Sequence, residues 1–159
     1  MKKLFLTMLV VLMSVSAMAQ DKKYGVGFNL LYGTEIKNIG FGVKGQYYAT
    51  EAIRVEGNVA YYLKKDDVSL LDVNVAGHYL IPVAENMKVY PLAGVGITHW
   101  RYGGALKGLV DNTTKFTINL GGGYQFDVAE DFALNAEIKY QIIDHYNQAV
   151  FAVGAVYKF

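Results

Sequence analysis

The stretch FAVGAVYKF, residues 151–159, is apolar at every second position: Phe151, Val153, Ala155, Tyr157 and Phe159. A period of two puts alternate side chains on opposite faces of an extended strand. The stretch therefore reads as a β-strand with one apolar face, and its final residue carries an aromatic ring. Which way that apolar face looks decides the fold.

Working back along the chain, the same alternation recurs. YGVGFNLLYG sets Tyr24, Val26, Phe28, Leu30 and Tyr32 against Gly25, Gly27, Asn29 and Gly33, with Leu31 as an exception. IGFGVKGQYY sets Ile39, Phe41, Val43 and Tyr47 against Gly40, Gly42, Lys44 and Gln46. In IRVEGNVAYYL the apolar set Ile53, Val55, Val59, Tyr61 and Leu63 opposes Arg54, Glu56 and Asn58. A fourth run places Leu71, Val73, Val75, Tyr79 and Ile81 against Asp72, Asn74 and His78. The fifth, Val89 to Trp100, is weaker, because Pro91 cannot donate to a ladder and implies a strand end or a shifted register. A sixth opposes Phe116, Ile118, Leu120, Tyr124 and Phe126 to Thr117, Asn119, Gly121, Gly123 and Gln125. A seventh opposes Phe132, Leu134, Ala136, Ile138, Tyr140 and Ile142 to Asn135, Glu137, Lys139 and Gln141. With the quoted stretch these make eight strands of about ten residues. Turn-rich segments separate them: TEIKN, ATE, KKDD, PVAEN, a longer RYGGALKGLVDN, DVAED and DHYN. GQYYATEAIRVEGNVAYY also resembles GGYQFDVAEDFALNAEIKYQ, as a repeated hairpin would.

The opposite end of the chain is different. MKKLFLTMLVVLMSVSAMAQ has Lys2 and Lys3, an apolar run from Leu4 to about Val15, and Ala17-Met18-Ala19. That is the pattern of a secretory signal cut after Ala19, and the run falls short of the ~20 residues an anchor helix needs. We therefore expect a cleaved signal over 1–19 and a single domain over 20–159. The absence of cysteine excludes lipoprotein anchoring, disulfide staples and thiolate chemistry. A near-neutral formal charge of +1 gives no footprint for nucleic acid.

Eight antiparallel strands with short connections suit an up-and-down barrel, which has no free sheet edge. A soluble barrel would wet its polar face and a membrane barrel would enclose it. The polar face is crowded with glycine: Gly25, Gly27, Gly33, Gly40, Gly42, Gly94, Gly96, Gly121, Gly123 and Gly154. Glycine on a water-facing strand surface only weakens it, whereas the bore of an eight-stranded barrel is barely wide enough for side chains. Aromatics on the apolar face also sort by height. Tyr24, Tyr47, Tyr79, Tyr124, Phe126, Phe132, Tyr157 and Phe159 fall at one end, and Tyr32, Tyr61, Phe116, Tyr140 and Phe151 at the other. Two girdles around an aliphatic middle match the two headgroup levels of a bilayer. The expected fold is all-β, an eight-stranded antiparallel up-and-down transmembrane β-barrel with a polar, Gly-rich interior.

Over Tyr24 to Phe159 the chain resembles the small eight-stranded outer-membrane β-barrels, the OmpX-like proteins and the OmpA transmembrane domain of Gram-negative bacteria. Phe151, Val153, Tyr157 and Phe159 resemble the C-terminal signal read by the barrel-assembly machinery. The resemblance implies location in the bacterial outer membrane and a monomer bathed in outer-membrane lipid and lipopolysaccharide. It implies both termini on the periplasmic side, and a structural or surface-interaction role with a lumen plugged by polar side chains. A narrow pore for water, ions or small solutes is the alternative; a lipid-modifying enzyme or a lipocalin-like carrier fits less well. Unlike OmpX-like proteins, the chain has short outer connections, and only 101–112 is long enough to protrude.

For the lumen, the polar face offers a charge network of Lys44, Arg54, Glu56, Asp72, Glu137 and Lys139. The polar face also carries Lys158, with Lys115 near one mouth. Lys44 and Glu56, both close to the ATE turn, should be direct or diagonal neighbours. Glu137 should face Gly121 and Gly154 and pair with Arg54 or Lys139. A nucleophilic serine needs a base within reach, and after residue 19 the only serine is Ser69. Ser69 with His99 and Asp67 or Asp72 is the one triad that can be assembled, and the His-x-Ser-Asn motif of lipid A deacylase barrels is missing. His78, His99 and His145 share no metal-ligand spacing. No catalytic residue, metal or cofactor is expected.

Overall fold

A computed structural model of the chain describes residues 22–65, 68–102, 113–143 and 147–159. The expectations for 1–19, Asp67, the protruding part of 101–112 and most of DHYN lie outside the described residues. Among the described residues the strands are β1 Tyr24–Gly33, β2 Asn38–Tyr48, β3 Ile53–Lys65, β4 Val68–Tyr79, β5 Ile81–Ala84, β6 Met87–Tyr102, β7 Thr113–Asp127, β8 Phe132–Ile143 and β9 Gln148–Lys158. Every pairing is antiparallel; each strand pairs with the next in the chain except β4 and β5, which both pair with β6, and β1 pairs with β9. The sheet therefore closes on itself as an eight-stranded barrel, with β5 continuing the line of β4.

The split between β4 and β5 is local. Pairing with β6 runs from Val68↔Tyr102 to His78↔Leu92 and resumes in the same register at Ile81↔Val89. In that register Pro91 stands opposite Tyr79. It has no N–H to give, and the ladder lapses there. On the other side the register with β3 continues past Tyr79, the Leu80 N–H donating to Ala52 O at 2.7 Å. Pro91 thus lies inside the long β6, not near a strand end. The PVAEN turn is correspondingly shorter than the sequence suggests, since Pro82–Ala84 belong to β5.

Closure brings the two ends of the described chain together. The Tyr24 N–H donates to Phe159 O (3.0 Å) and the Phe159 N–H to Tyr24 O (2.8 Å). The Tyr157 and Tyr24 rings stand 6.3 and 6.4 Å from the Phe159 ring. Following the pairings around the wall from Tyr24 passes Tyr47, Val55, Gly77, Ala93, Leu120, Tyr140 and Ala149. The path returns to β1 at Thr34, whose N–H donates to Ala149 O at 2.9 Å. That stagger of about ten residues over eight strands tilts the strands by roughly 40° and leaves a bore that side chains can fill.

Burial is inside out relative to a soluble domain. Phe28 (63% exposed), Phe116 and Val153 look outward, whereas Arg54 and Asp72 are completely buried. The two aromatic girdles face outward as well, Tyr24, Tyr47, Tyr79, Tyr124, Phe132 and Tyr157 near the termini and Tyr32, Tyr61, Phe116, Tyr140 and Phe151 at the far end. So continuous an apolar belt would aggregate in water. In lipid it is the stable arrangement, because closure leaves no strand edge unpaired. Val73 and Ile138 lie on the belt, Val73 opposite outward Val59 and Ile97.

An arginine at Ile138 would face hydrocarbon near the middle of the belt. Ile138→Arg should lower stability in phospholipid vesicles by about 2–4 kcal/mol in a urea titration. A cost near zero would mean that residue 138 does not face lipid.

Candidate functional site

The inner face is the only place where this wall gathers polar chemistry among the described residues, and it is filled along its length. Toward the end far from the termini, Leu31, Tyr62, Leu70, Trp100, Ile143 and Val150 pack together as an apolar cap. Leu31, the exception in the β1 alternation, is inward and belongs to this cap. Glycine makes room for the large rings. Gly40 is the cross-strand partner of Tyr62, and a Cβ on it would sit 2.8 Å from Tyr62 Cδ1. Gly123 is the partner of Tyr90, and a Cβ there would run into the Tyr90 ring.

Below the cap lies Asp72. Its carboxylate accepts from Thr98 Oγ1 (2.8 Å), Asn74 Nδ2 (2.7 Å) and Gln141 Nε2 (2.9 Å). Gln148 Nε2 extends this group by donating to Gln141 Oε1 at 2.8 Å. At mid-height the Lys44 ammonium stands between two carboxylates, 3.4 Å from Glu56 Oε2 and 3.3 Å from Glu137 Oε1. Glu137 Oε1 also accepts from the Tyr90 hydroxyl (2.7 Å) and Asn135 Nδ2 (2.8 Å), and Glu56 Oε2 from Gln46 Nε2 (2.6 Å). Closer to the termini Arg54 crosses the bore. It donates from Nη1 to Gln125 Oε1 at 2.5 Å and from Nε to His78 Nδ1 at 3.1 Å. Its guanidinium lies 4.6 Å from the centre of the Tyr90 ring, which stacks on His78 at 4.9 Å and 9°. At the mouth, Asp127 pairs with Lys88 (3.0 Å) and Lys158 (3.1 Å).

The six charges read from the sequence all point inward; Gln46 and Tyr90 link Arg54 to the Lys44–Glu56–Glu137 group, and Asp72 sits in a cluster of its own. Lys44, Glu56 and Glu137 are joined by ion pairs, while Arg54 and Asp72 are held mainly by neutral partners. Lys139 lines a small cavity beside Glu137. Lys44 and Glu56 are diagonal, since Lys44 pairs with Asn58 and Glu56 with Gln46. Glu137 is displaced by two residues from expectation. It stands opposite Gly123 and Ala152, and its cation is Lys44, not Arg54 or Lys139. The turn sets this offset: Val128 N–H and Ala129 N–H both donate to Phe132 O, which fixes Asp127 opposite Ala133.

Tyr90 and Asp127 were missed as lumen groups, whereas Gln125 lies on the inner face as the alternation predicts. The Pro91 ambiguity hid Tyr90, and Asp127 reads as a turn residue. Counting back by twos from Gly94 would have found Tyr90. Glu56, His78 and Glu137 also place one ligand atom each within 4.8 Å of one another. They come from β3, β4 and β8, so no local spacing could announce them. Lys44 lies between the two carboxylates.

The Ser69–His99–Asp72 form of the triad does not assemble, and the Asp67 form lies outside the described residues. Ser69 stands opposite Arg101 and His99 opposite Leu71, and His99 Nδ1 is hydrogen-bonded to Thr114 Oγ1 at 2.7 Å. Asp72 is on the other side of the wall, inside the lumen. Of the residues likened to an assembly signal, Phe151, Val153 and Tyr157 face outward and Phe159 is half-buried at the seam.

An inside-out closed barrel with a polar lumen and two aromatic girdles defines the class: an integral β-barrel of the bacterial outer membrane. The family model of the outer membrane protein beta-barrel domain matches residues 5–159, and the chain belongs to that family. Solved structures of the same fold include Ail, the attachment invasion locus protein of Yersinia pestis, at 21% identity and a TM-score of 0.59, with 86% of this chain and 96% of that chain covered. Neisserial surface protein A is similar at 14% identity and a TM-score of 0.65, over 86% of this chain and 96% of that one. The outer membrane enzyme PagL is similar at 12% identity and a TM-score of 0.54, over 85% and 99%. At these identities the likeness is one of fold, and the fold hosts enzymes and other proteins alike. No curated protein sequence matches the chain.

Removing the mid-lumen ammonium would leave two buried carboxylates facing each other. Lys44→Met should cost about 3–5 kcal/mol of unfolding free energy. Adding Glu137→Gln to that variant should restore part of the loss. An unchanged urea midpoint for Lys44→Met would show that the ion pairs do not form.

Proposed function

We propose that this protein is a non-conducting, non-enzymatic barrel that serves outer-membrane integrity and surface interaction, as a monomer in contact with outer-membrane lipid and lipopolysaccharide. Residues 1–19 act as its export signal, and the barrel-assembly machinery inserts it through the pattern at Phe151, Val153, Tyr157 and Phe159. The observation that carries the reading is the filling of the bore at successive heights. The apolar cap around Tyr62 and Trp100, the Lys44 ion pairs and the Arg54–His78–Tyr90 stack lie one beneath another. A pathway needs a continuous lining that an ion can enter and leave. Here a permeating ion would have to part a Trp–Tyr–Leu contact and then a doubly satisfied ammonium. Against an enzymatic role stands the placement of Asp72 inside the lumen, across the wall from Ser69 and His99.

Planar-bilayer recording tests this. The refolded protein, its folding checked by the heat-dependent gel shift of such barrels, should give silent bilayers. Discrete steps that change on charge reversal at Glu56 or Glu137 would overturn the reading in favour of a narrow pore.

A further inference from the structure

Inside the lumen, between the Arg54–His78 layer and the Asp72 cluster, lies a small cavity of about 20 Å³, lined by Glu56, Asn58, Asn74, His78, Asn119 and Glu137 among others. Two of its walls carry unsatisfied polar atoms. Asn58 is buried, yet neither its Oδ1 nor its Nδ2 has a hydrogen-bond partner among the described residues. Asn119 donates from Nδ2 to Asn74 Oδ1 at 2.8 Å, but its own Oδ1, also buried, has no such partner. Buried polar groups left in this state are costly, and native proteins rarely tolerate several at one place.

We propose that this cavity is a binding site for one trapped water molecule, which completes the polar layer of the lumen. Size selects the occupant first. About 10–15 Å³ is enough to hold one water, so this cavity, at about 20 Å³, has room for a water. Hydrogen-bond capacity selects it again. The orphaned set is two acceptors and one donor, and a water has two hydrogens to give and lone pairs to receive. Charge argues against the other small candidate. Glu56, His78 and Glu137 are grouped closely enough to hold a metal ion. However, Lys44 already stands between the carboxylates, Lys139 lines the same cavity and Arg54 is bonded to His78. A divalent cation would face three positive groups; a neutral water faces none of that cost. The cap at one end and the Arg54–His78–Tyr90 stack at the other bury the site. The water is therefore held in place and exchanges only when the wall or the plug opens. The trapped character rests on the closed-lumen reading above; the existence of the site does not.

The test is solution NMR of the full barrel in lipid nanodiscs, with water as the probe. The side-chain amide protons of Asn58 and Asn119 should show cross-peaks to water of the sign given by long-lived contact. Asn58→Leu and, from another wall of the cavity, Ala76→Val should each remove the cross-peaks that remain at Asn119. Either variant suffices if the other does not fold. Absence of the cross-peaks in the unmodified protein would overturn the proposal, as would their persistence when the cavity is filled. Saturable perturbation of the His78 ring resonances on titration with Zn²⁺ would overturn it in favour of a metal site. Water cross-peaks together with silent bilayers mean a trapped water. Cross-peaks together with single-channel steps keep the site and refute only the closed lumen.

Discussion

Backbone hydrogen bonding is the constraint on which everything else in this molecule rests. Hydrocarbon offers no partner to an unpaired N–H or C=O, so a strand that crosses it must be paired on both sides. Eight strands meet that demand only if the first finds the last, and the seam is where Tyr24 and Phe159 exchange their N–H groups. Because β1 and β9 carry the seam, the last residues are paired into the wall, and Tyr157 and Phe159 can serve in a girdle. Closure at this strand number also sets the width of the bore. A narrow bore accounts for the composition of the inner face, where a tyrosine on one strand calls for a glycine on the next, as at Tyr62 with Gly40 and Tyr90 with Gly123.

The same constraint separates two kinds of work. Outward positions answer only to lipid and headgroups, so they repeat a simple pattern of aliphatics flanked by rings. Inward positions answer to one another across the bore. Lys44 on β2 meets Glu137 on β8, and Arg54 on β3 meets Gln125 on β7. These contacts link walls that the ladder joins only through intermediate strands. They fill the lumen and tie the far sides of the barrel together.

This division explains what could be read from the sequence. The faces were legible, since period two is a local property that survives any tertiary context. Residues such as Arg54, Asp72 and Lys139 were put on one face by alternation, the glycines and the aromatic girdles turned that face inward, and they are inward. Leu31 and Tyr90 were less tractable. The lumen has apolar and aromatic layers of its own, so an inward leucine looks like a break in the pattern and an inward tyrosine next to a proline looks like a shift of it. The Glu56–His78–Glu137 group could not be read at all, because it exists only once three strands distant in sequence share a height.

Register is the subtler case. A slip by one residue would turn every charge of a strand into the lipid, so alternation excludes it decisively. A slip by two keeps every face correct and costs nothing in patterning. The expectation for Glu137 erred by that amount, placing it opposite Gly121 instead of Gly123. What separates the two registers is the four-residue turn before Phe132 together with contacts that only one of them permits. The β6–β7 register sets Gly123 beside the Tyr90 ring, and with Glu137 opposite that glycine the Tyr90 hydroxyl reaches Glu137. Only with Glu137 at this height does Lys44 stand between two carboxylates. Buried ion pairs are often poor contributors to stability when compared with apolar packing. In a barrel whose outer face cannot tell one even register from another, the inner charges supply the distinction, and the stagger of about ten residues is the register that satisfies them.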